Sequence, residues 1–131
     1  MTARFDFKAK LLIGVVHLKP LPGSPNYPGR FENIIEAAVK DAIAYERGGA
    51  TAICVENFGD VPFTKGAVGP ETIAAMAAAG RAVRNAVRTP IGFNVLRNDA
   101  RAALALCAAC DGVFIRAVSY THLRAHETVL D

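Results

Sequence analysis

The sequence predicts an α/β fold of parallel strands alternating with helices, and three observations carry that reading. Four short apolar runs, at 11–17, 51–56, 91–95 and 112–116, alternate with three longer stretches of helical periodicity. Helix-to-strand turns are short, whereas the first two strand-to-helix loops are long. Polar residues gather at the carboxyl end of each run: His17, Glu56 with Asn57, Asn94 with Arg97, and Arg116. The pattern is β-α-β-α-β-α-β, built from right-handed parallel units.

The first run, LLIGVVH (11–17), is rich in β-branched residues and too short for a helix, so it reads as a strand buried on both faces. LKPLPGSPNYPGRF (18–31) carries four prolines and two glycines and reads as a rigid loop rather than a proline-rich docking ligand. Over 32–47 the apolar positions Ile35, Ala38, Val39, Ala42 and Ile43 fall at helical spacing, with Glu36 and Lys40 paired four apart, and Gly48 and Gly49 end the helix. TAICVE (51–56) is the second strand, followed by the loop NFGDVPFTKGAVG. Pro70 opens a second helix that runs to about residue 88, its apolar face formed by Ile73, Met76, Ala77, Val83 and Val87. Arg81, Arg84 and Arg88 lie opposite and read as a solvated face rather than an anion-binding stripe. IGFNV (91–95) is the third strand, LRND a tight turn, 100–110 a third helix and GVFIR (112–116) the fourth strand.

In an eight-stranded barrel the four carboxyl ends would converge on one mouth; in a doubly wound sheet they would border a crevice. A barrel takes roughly 250 residues, and four strands cannot close one.

The chain has 131 residues, 52% of them hydrophobic and 21% charged, which excludes disorder and a disulfide-stapled mini-protein. Its apolar runs fall short of the roughly 18 residues of a membrane span, and its first ten residues lack the apolar core of an export signal. A cytoplasmic protein is expected, with peripheral membrane association and homo-oligomerisation compatible with the sequence. The net charge of +3 comes from interleaved bases and acids, so no nucleic-acid footprint emerges, and a small-molecule ligand is the expected partner. Cys54, Cys107 and Cys110 sit in apolar segments and suit reduced thiols. The Cys107-Ala-Ala-Cys110 pair closes a helix rather than opening one, where thiol pKa values fall, so both read as packing residues.

Residues 118–131, VSYTHLRAHETVLD, break the alternation. They resemble a sequencing adapter translated in one frame, and the expectation is that they are a non-native tail. His122, His126 and Glu127, which mimic a metal-binding pair with a carboxylate, are excluded from function on that ground. His17 is then the sole native histidine.

Three strings stand out: IGVVHLKPLPGSP (13–25), ENFGDVPF (56–63) and PIGFNVLRNDARAALA (90–105). Together they resemble the BtpA family, also called BtpA/SgcQ, over about 12–116. The resemblance implies a (β/α)8 TIM barrel of the ribulose-phosphate-binding type, of which 1–117 would supply the first four strands and three helices. It also implies a role in photosystem I biogenesis or in sugar-linked metabolism, with a sugar-like or phosphorylated ligand at the mouth. It fixes no reaction, so the chain is expected to be part of an enzyme of unknown chemistry, a non-enzymatic assembly factor, or a truncated product without function. The phosphate-gripping loops of such barrels follow strands seven and eight, beyond these four.

The candidate catalytic residues are His17, Glu56 and Asp60. His17 at a strand end suits a general acid or base, against the plainer role of hydrogen-bonded scaffold. Glu56 ends a buried strand, where burial raises a carboxyl pKa and makes a base, unless an ion pair with Lys19 or Arg116 holds the mouth together. Asp60 can share a divalent metal with Glu56, His17 and Asn94, or shape its own loop. The candidate substrate-binding residues are Asn57, Asn94, Arg97, Asn98 and Arg116. The asparagines offer donor and acceptor pairs for a hydroxylated or carbonyl ligand, and the arginines suit an anion or a structural salt bridge. Asp99 is expected to cap the third helix. Gly59 and Gly66 lack the lysine ending of a phosphate loop, so no nucleotide cofactor is expected.

Overall fold

The computed structural model describes residue 6 and residues 8–63 and 66–117. Strands β1 (Ile13–His17), β2 (Ala52–Glu56), β3 (Ile91–Asn94) and β4 (Phe114–Ile115) alternate with helices α1 (Phe31–Arg47), α2 (Pro70–Ala86) and α3 (Ala100–Cys110). All strand pairs are parallel and the order is β1-β2-β3-β4. A doubly wound sheet reverses its strand order partway and carries helices on both faces. Here the order is sequential and the core lies on one face, so the arrangement is part of a (β/α) barrel that is not closed.

Alternation along the strands separates the two faces. Val16, Ile53, Val55, Ile91 and Phe93 meet Ile34, Met76, Val83 and Leu106 of the helices in the core. Gly80 of α2 lets that helix settle on β3, because a Cβ there would lie 2.6 Å from the Phe93 ring. Gly14 does the same under α1, whose Tyr45 ring would collide with any side chain at that place. Ile13, Val15, Cys54, Asn94 and Phe114 therefore take the opposite, concave face.

β2 and β3 are buried along their whole length, as the apolar runs predict. β1 is not: it alternates, and Leu11 and Leu12 precede the paired segment and are exposed. Its concave face has no opposing layer among the described residues. α3 has its expected bounds, and Asp99 caps it, accepting from Ala102 N at 2.9 Å.

The solvated face expected of Arg81, Arg84 and Arg88 fails at Arg84. Arg84 is only 7% exposed and donates from Nη2 to the carbonyls of Val87 and Thr89 at 2.7 and 2.8 Å. Helix α2 stops at Ala86, Val87 is extended, and the carbonyls beyond it fold back beneath Arg84. Arg81 reaches Asp111 at 3.3 Å and Ala109 O at 2.7 Å, tying α2 to the end of α3. No helix among the described residues is long and apolar enough to cross a membrane.

Candidate functional site

Register brings the strand-end residues into one row. His17 pairs with Glu56 and Glu56 with Asn94 along the ladder, and Arg116 N donates to Phe93 O at 3.0 Å, placing Arg116 next in line. All four belong to the concave face by alternation. Glu56 sits at the centre. His17 Nε2 lies 3.4 Å from Glu56 Oε1, and Asn94 Nδ2 donates to Oε2 at 2.5 Å. The Glu56 side chain is 7% exposed and that of His17 is 54% exposed. A buried carboxylate is tolerated when polar partners face it, and here the neighbouring strands supply the Asn94 amide on Oε2 and the His17 ring beside Oε1. The expected partners Lys19 and Arg116 form no ion pair with it.

His17 and Arg116, at the two ends of this row, meet solvent, and Glu56 lies behind the imidazole. The imidazole packs on Phe58, ring centroids 4.7 Å apart and tilted by 34°, and Phe58 in turn neighbours Phe63 at 6.4 Å. Sequence reading passed over Phe58. The available signal was a large aromatic residue two places beyond Glu56, at a level where a loop normally turns polar.

Asn57 and Asp60 serve the loops. Asn57 is almost fully buried, donates from Nδ2 to Leu96 O at 3.2 Å and accepts from Leu96 N at 2.6 Å, which fastens the β2 loop to the turn after β3. Asp60 Oδ1 accepts from Leu21 N at 2.8 Å and so anchors the loop after β1. Burial raises the Asp60 carboxyl above its ordinary value, opposed by hydrogen bonds from Leu21 and Asn57. Both residues line a crevice of about 90 Å³ with Gly23, Ser24, Phe63 and Gly69, bounded by the β1 and β2 loops. Asp99, besides capping α3, accepts from Val68 N at 2.9 Å.

No group of three or more His, Cys, Asp or Glu suited to a metal ion occurs among the described residues, so the shared divalent site of His17, Glu56 and Asp60 is not assembled. The His122, His126 and Glu127 set lies outside those residues. Arg97 is exposed in the turn after β3, and Asn98 beside it is half-buried and engaged. Arg116 lines a hollow of about 460 Å³ on the concave face with Val15, Cys54 and Phe114. Burial pushes the Cys54 thiol up to about 12 and the Cys107 thiol to about 11, and it raises Cys110 as well. Cys107 Sγ donates to Phe114 O and Cys110 Sγ to Ala77 O, so this pair packs the helix end.

These features can be set beside known proteins. An uncharacterized protein of Thermococcus kodakarensis is 52% identical over 111 residues, covering 85% of this chain and 42% of the relative. The photosystem I biogenesis protein BtpA of Synechocystis is 46% identical over 105 residues, or 80% of this chain and 37% of that protein. The putative sgc region protein SgcQ of Escherichia coli is 36% identical over 112 residues, or 83% and 41%. The chain thus spans about two fifths of the length of the curated relatives it matches. The model of the BtpA family matches residues 8–130, a range that takes in most of the 118–131 tail as well as every strand and helix described above. With the open barrel segment, the three motifs and this match in agreement, the chain belongs to the BtpA family.

Proposed function

We propose that the chain forms the amino-terminal part of a (β/α)8 barrel whose carboxyl-end mouth binds a small sugar-like or phosphorylated ligand. His17 exchanges the proton there and Glu56 orients it. The observation that supports this reading is the row of His17, Glu56 and Asn94, joined across three strands with the titratable ring outermost. Arg97, Asn98 and Arg116 stand around it as ligand contacts, whereas Asn57 and Asp60 act through the loops they hold. A cytoplasmic setting accords with the free cysteines. Any divalent metal would draw further ligands from beyond the described residues. Residues 118–131 are proposed to be adapter-derived and to take no part; nucleotide reads across the junction at residues 116–118 test that.

Full-length protein screened against a sugar-phosphate panel should give a ligand-dependent rise in melting temperature. Glu56→Gln should then lower turnover of the identified ligand far more than its binding. Equal loss of both would remove Glu56 from proton chemistry and leave it as scaffold.

The name of the Synechocystis relative raises a second reading, a non-enzymatic assembly factor. The observation that favours it is on α1, where Ile35, Val39 and Ile43 line an open hollow with Glu36, Lys40 and Arg47. On that reading Lys40→Glu abolishes capture of a protein partner and His17→Gln does not.

A further inference from the structure

The hydrogen bonding of the strand-end row leaves one buried side-chain acceptor over among the described residues. Asn94 is 1% exposed, its Nδ2 is committed to Glu56, and no donor among the described residues reaches its Oδ1. The orientation of this amide is not arbitrary. Turning it over would set Oδ1 against a carboxylate oxygen at 2.5 Å, acceptor against acceptor. A buried carbonyl with no donor opposes folding by roughly the desolvation it has undergone, and such groups persist where something else supplies the donor.

The neighbours in the row narrow what that something is. On one side stands Arg116, exposed, lining the concave hollow and forming no ion pair among the described residues. On the other stands Glu56, already engaged on both oxygens by His17 and Asn94. Among the described residues the row thus holds a buried acceptor that lacks a donor next to an exposed cation that lacks an anion.

We propose, resting on the mouth-binding reading above, that the ligand is a hydroxylated anion. Its hydroxyl donates to Asn94 Oδ1 and its anionic group pairs with Arg116. Asn94 is then the residue that sets specificity. A keto oxygen at the same place would meet another acceptor, and a deoxy carbon would leave Oδ1 without a donor, so both are rejected.

Three small probes separate the two requirements: glycerol 3-phosphate has hydroxyls and a phosphate, propyl phosphate has the phosphate alone, and glycerol has the hydroxyls alone. Titration calorimetry on the full-length protein should find glycerol 3-phosphate bound about tenfold more tightly than propyl phosphate, the worth of one well-placed hydrogen bond. Glycerol alone should bind more weakly than either. Asn94→Leu should reduce the preference between the two phosphates to about onefold without weakening propyl phosphate, while Arg116→Gln should weaken both phosphates equally and keep the preference. Should Asn94→Leu not fold, the wild-type comparison of the two phosphates decides by itself. Equal affinity for them, with Arg116→Gln weakening both, overturns the Asn94 assignment and leaves the mouth as the binding site; Oδ1 is then served by water or by the rest of the chain. Binding of no probe, or binding untouched by either substitution, overturns the mouth reading together with this one.

Discussion

The two ends of the sheet carry polar groups of similar kind and use them in opposite ways. At the amino end, where β3 begins, Glu46 Oε2 accepts from Arg88 N, Thr89 N and Thr89 Oγ1 at 2.7–2.9 Å. Beside it Arg84 Nη2 closes on Val87 O and Thr89 O, while Nη1 is buried without a hydrogen-bond partner among the described residues. These bonds lock the end of α1 to the α2–β3 turn. At the carboxyl end the row of His17, Glu56 and Asn94 is bonded on its buried side only. Its outer ring is solvent-facing, and one amide oxygen has no partner among the described residues. In a barrel, polar groups at the strands' amino ends serve stability and those at their carboxyl ends serve ligands; the difference lies in how many donors and acceptors are spent inside the protein.

That contrast can be broken most forcefully at the amino end. Arg84→Ala should destabilise the chain by about 3 kcal/mol, since two carbonyls at the end of α2 lose a charged donor and a buried side chain is removed. Chemical denaturation measures it, and a loss under about 1 kcal/mol would mean that water replaces the guanidinium at no cost.

Next in size is Glu46→Gln, expected to cost about 1–2 kcal/mol at neutral pH, because an amide oxygen serves three donors less well than a carboxylate. The Thr89 hydroxyl bond, with those from the Thr89 and Arg88 amides, holds this carboxyl below its ordinary value of 4.5 against the opposing effect of burial. A depressed pKa gives stability that is complete above 4.5 and disappears as pH falls through the lower folded value. The wild-type advantage over Glu46→Gln should therefore shrink on acidification in that window; an advantage that is flat with pH would refute the charge-assisted account.

The smallest expected effect is at the mouth loop. Burial raises Asp60 above its ordinary 3.8, so the sign reverses. The stability it gives is complete below 3.8 and is lost as pH rises through the higher folded value. Asp60→Asn retains an oxygen for Leu21 N and should change stability at neutral pH by no more than about 0.5 kcal/mol, toward greater stability. A loss above about 1 kcal/mol would show that its charge is needed.

How much of this was readable beforehand depended on how local the cause was. The strands announced themselves through apolar runs, and Asp99 through its place before an Ala-rich helix, since propensity and capping act within a few residues. His17, Glu56, Asn94 and Arg116 could be picked out because strand ends in parallel units fall on one edge. Arg84 could not. Its spacing from Arg81 matches an outward face, and only the return of the chain under Val87 and Thr89 buries it. The loop contacts of Asn57 and Asp60 were hidden for a similar reason: their partners, Leu96 and Leu21, lie 39 residues away, and nothing in the local spacing announces a distant backbone group. Of the two readings of Glu56, the ion pair with Lys19 or Arg116 is not formed; its partners are the strand-end residues beside it, His17 and Asn94, a pairing that rests on register.

The Tyr45 ring that covers Gly14 reaches one atom further. Leu12 O and Leu18 N turn toward β2, so by alternation Val15 turns its carbonyl to the open side of β1, and the Tyr45 hydroxyl donates to it at 2.9 Å. A helix side chain thus sits on the free edge of the sheet, at the place where another strand would join the ladder. Any strand arriving there has to contend with a phenol. The chain holds three tyrosines and no tryptophan, so the part of the near-ultraviolet tyrosine signal that Tyr45→Phe removes reports whether the first strand stands at an edge or has been paired.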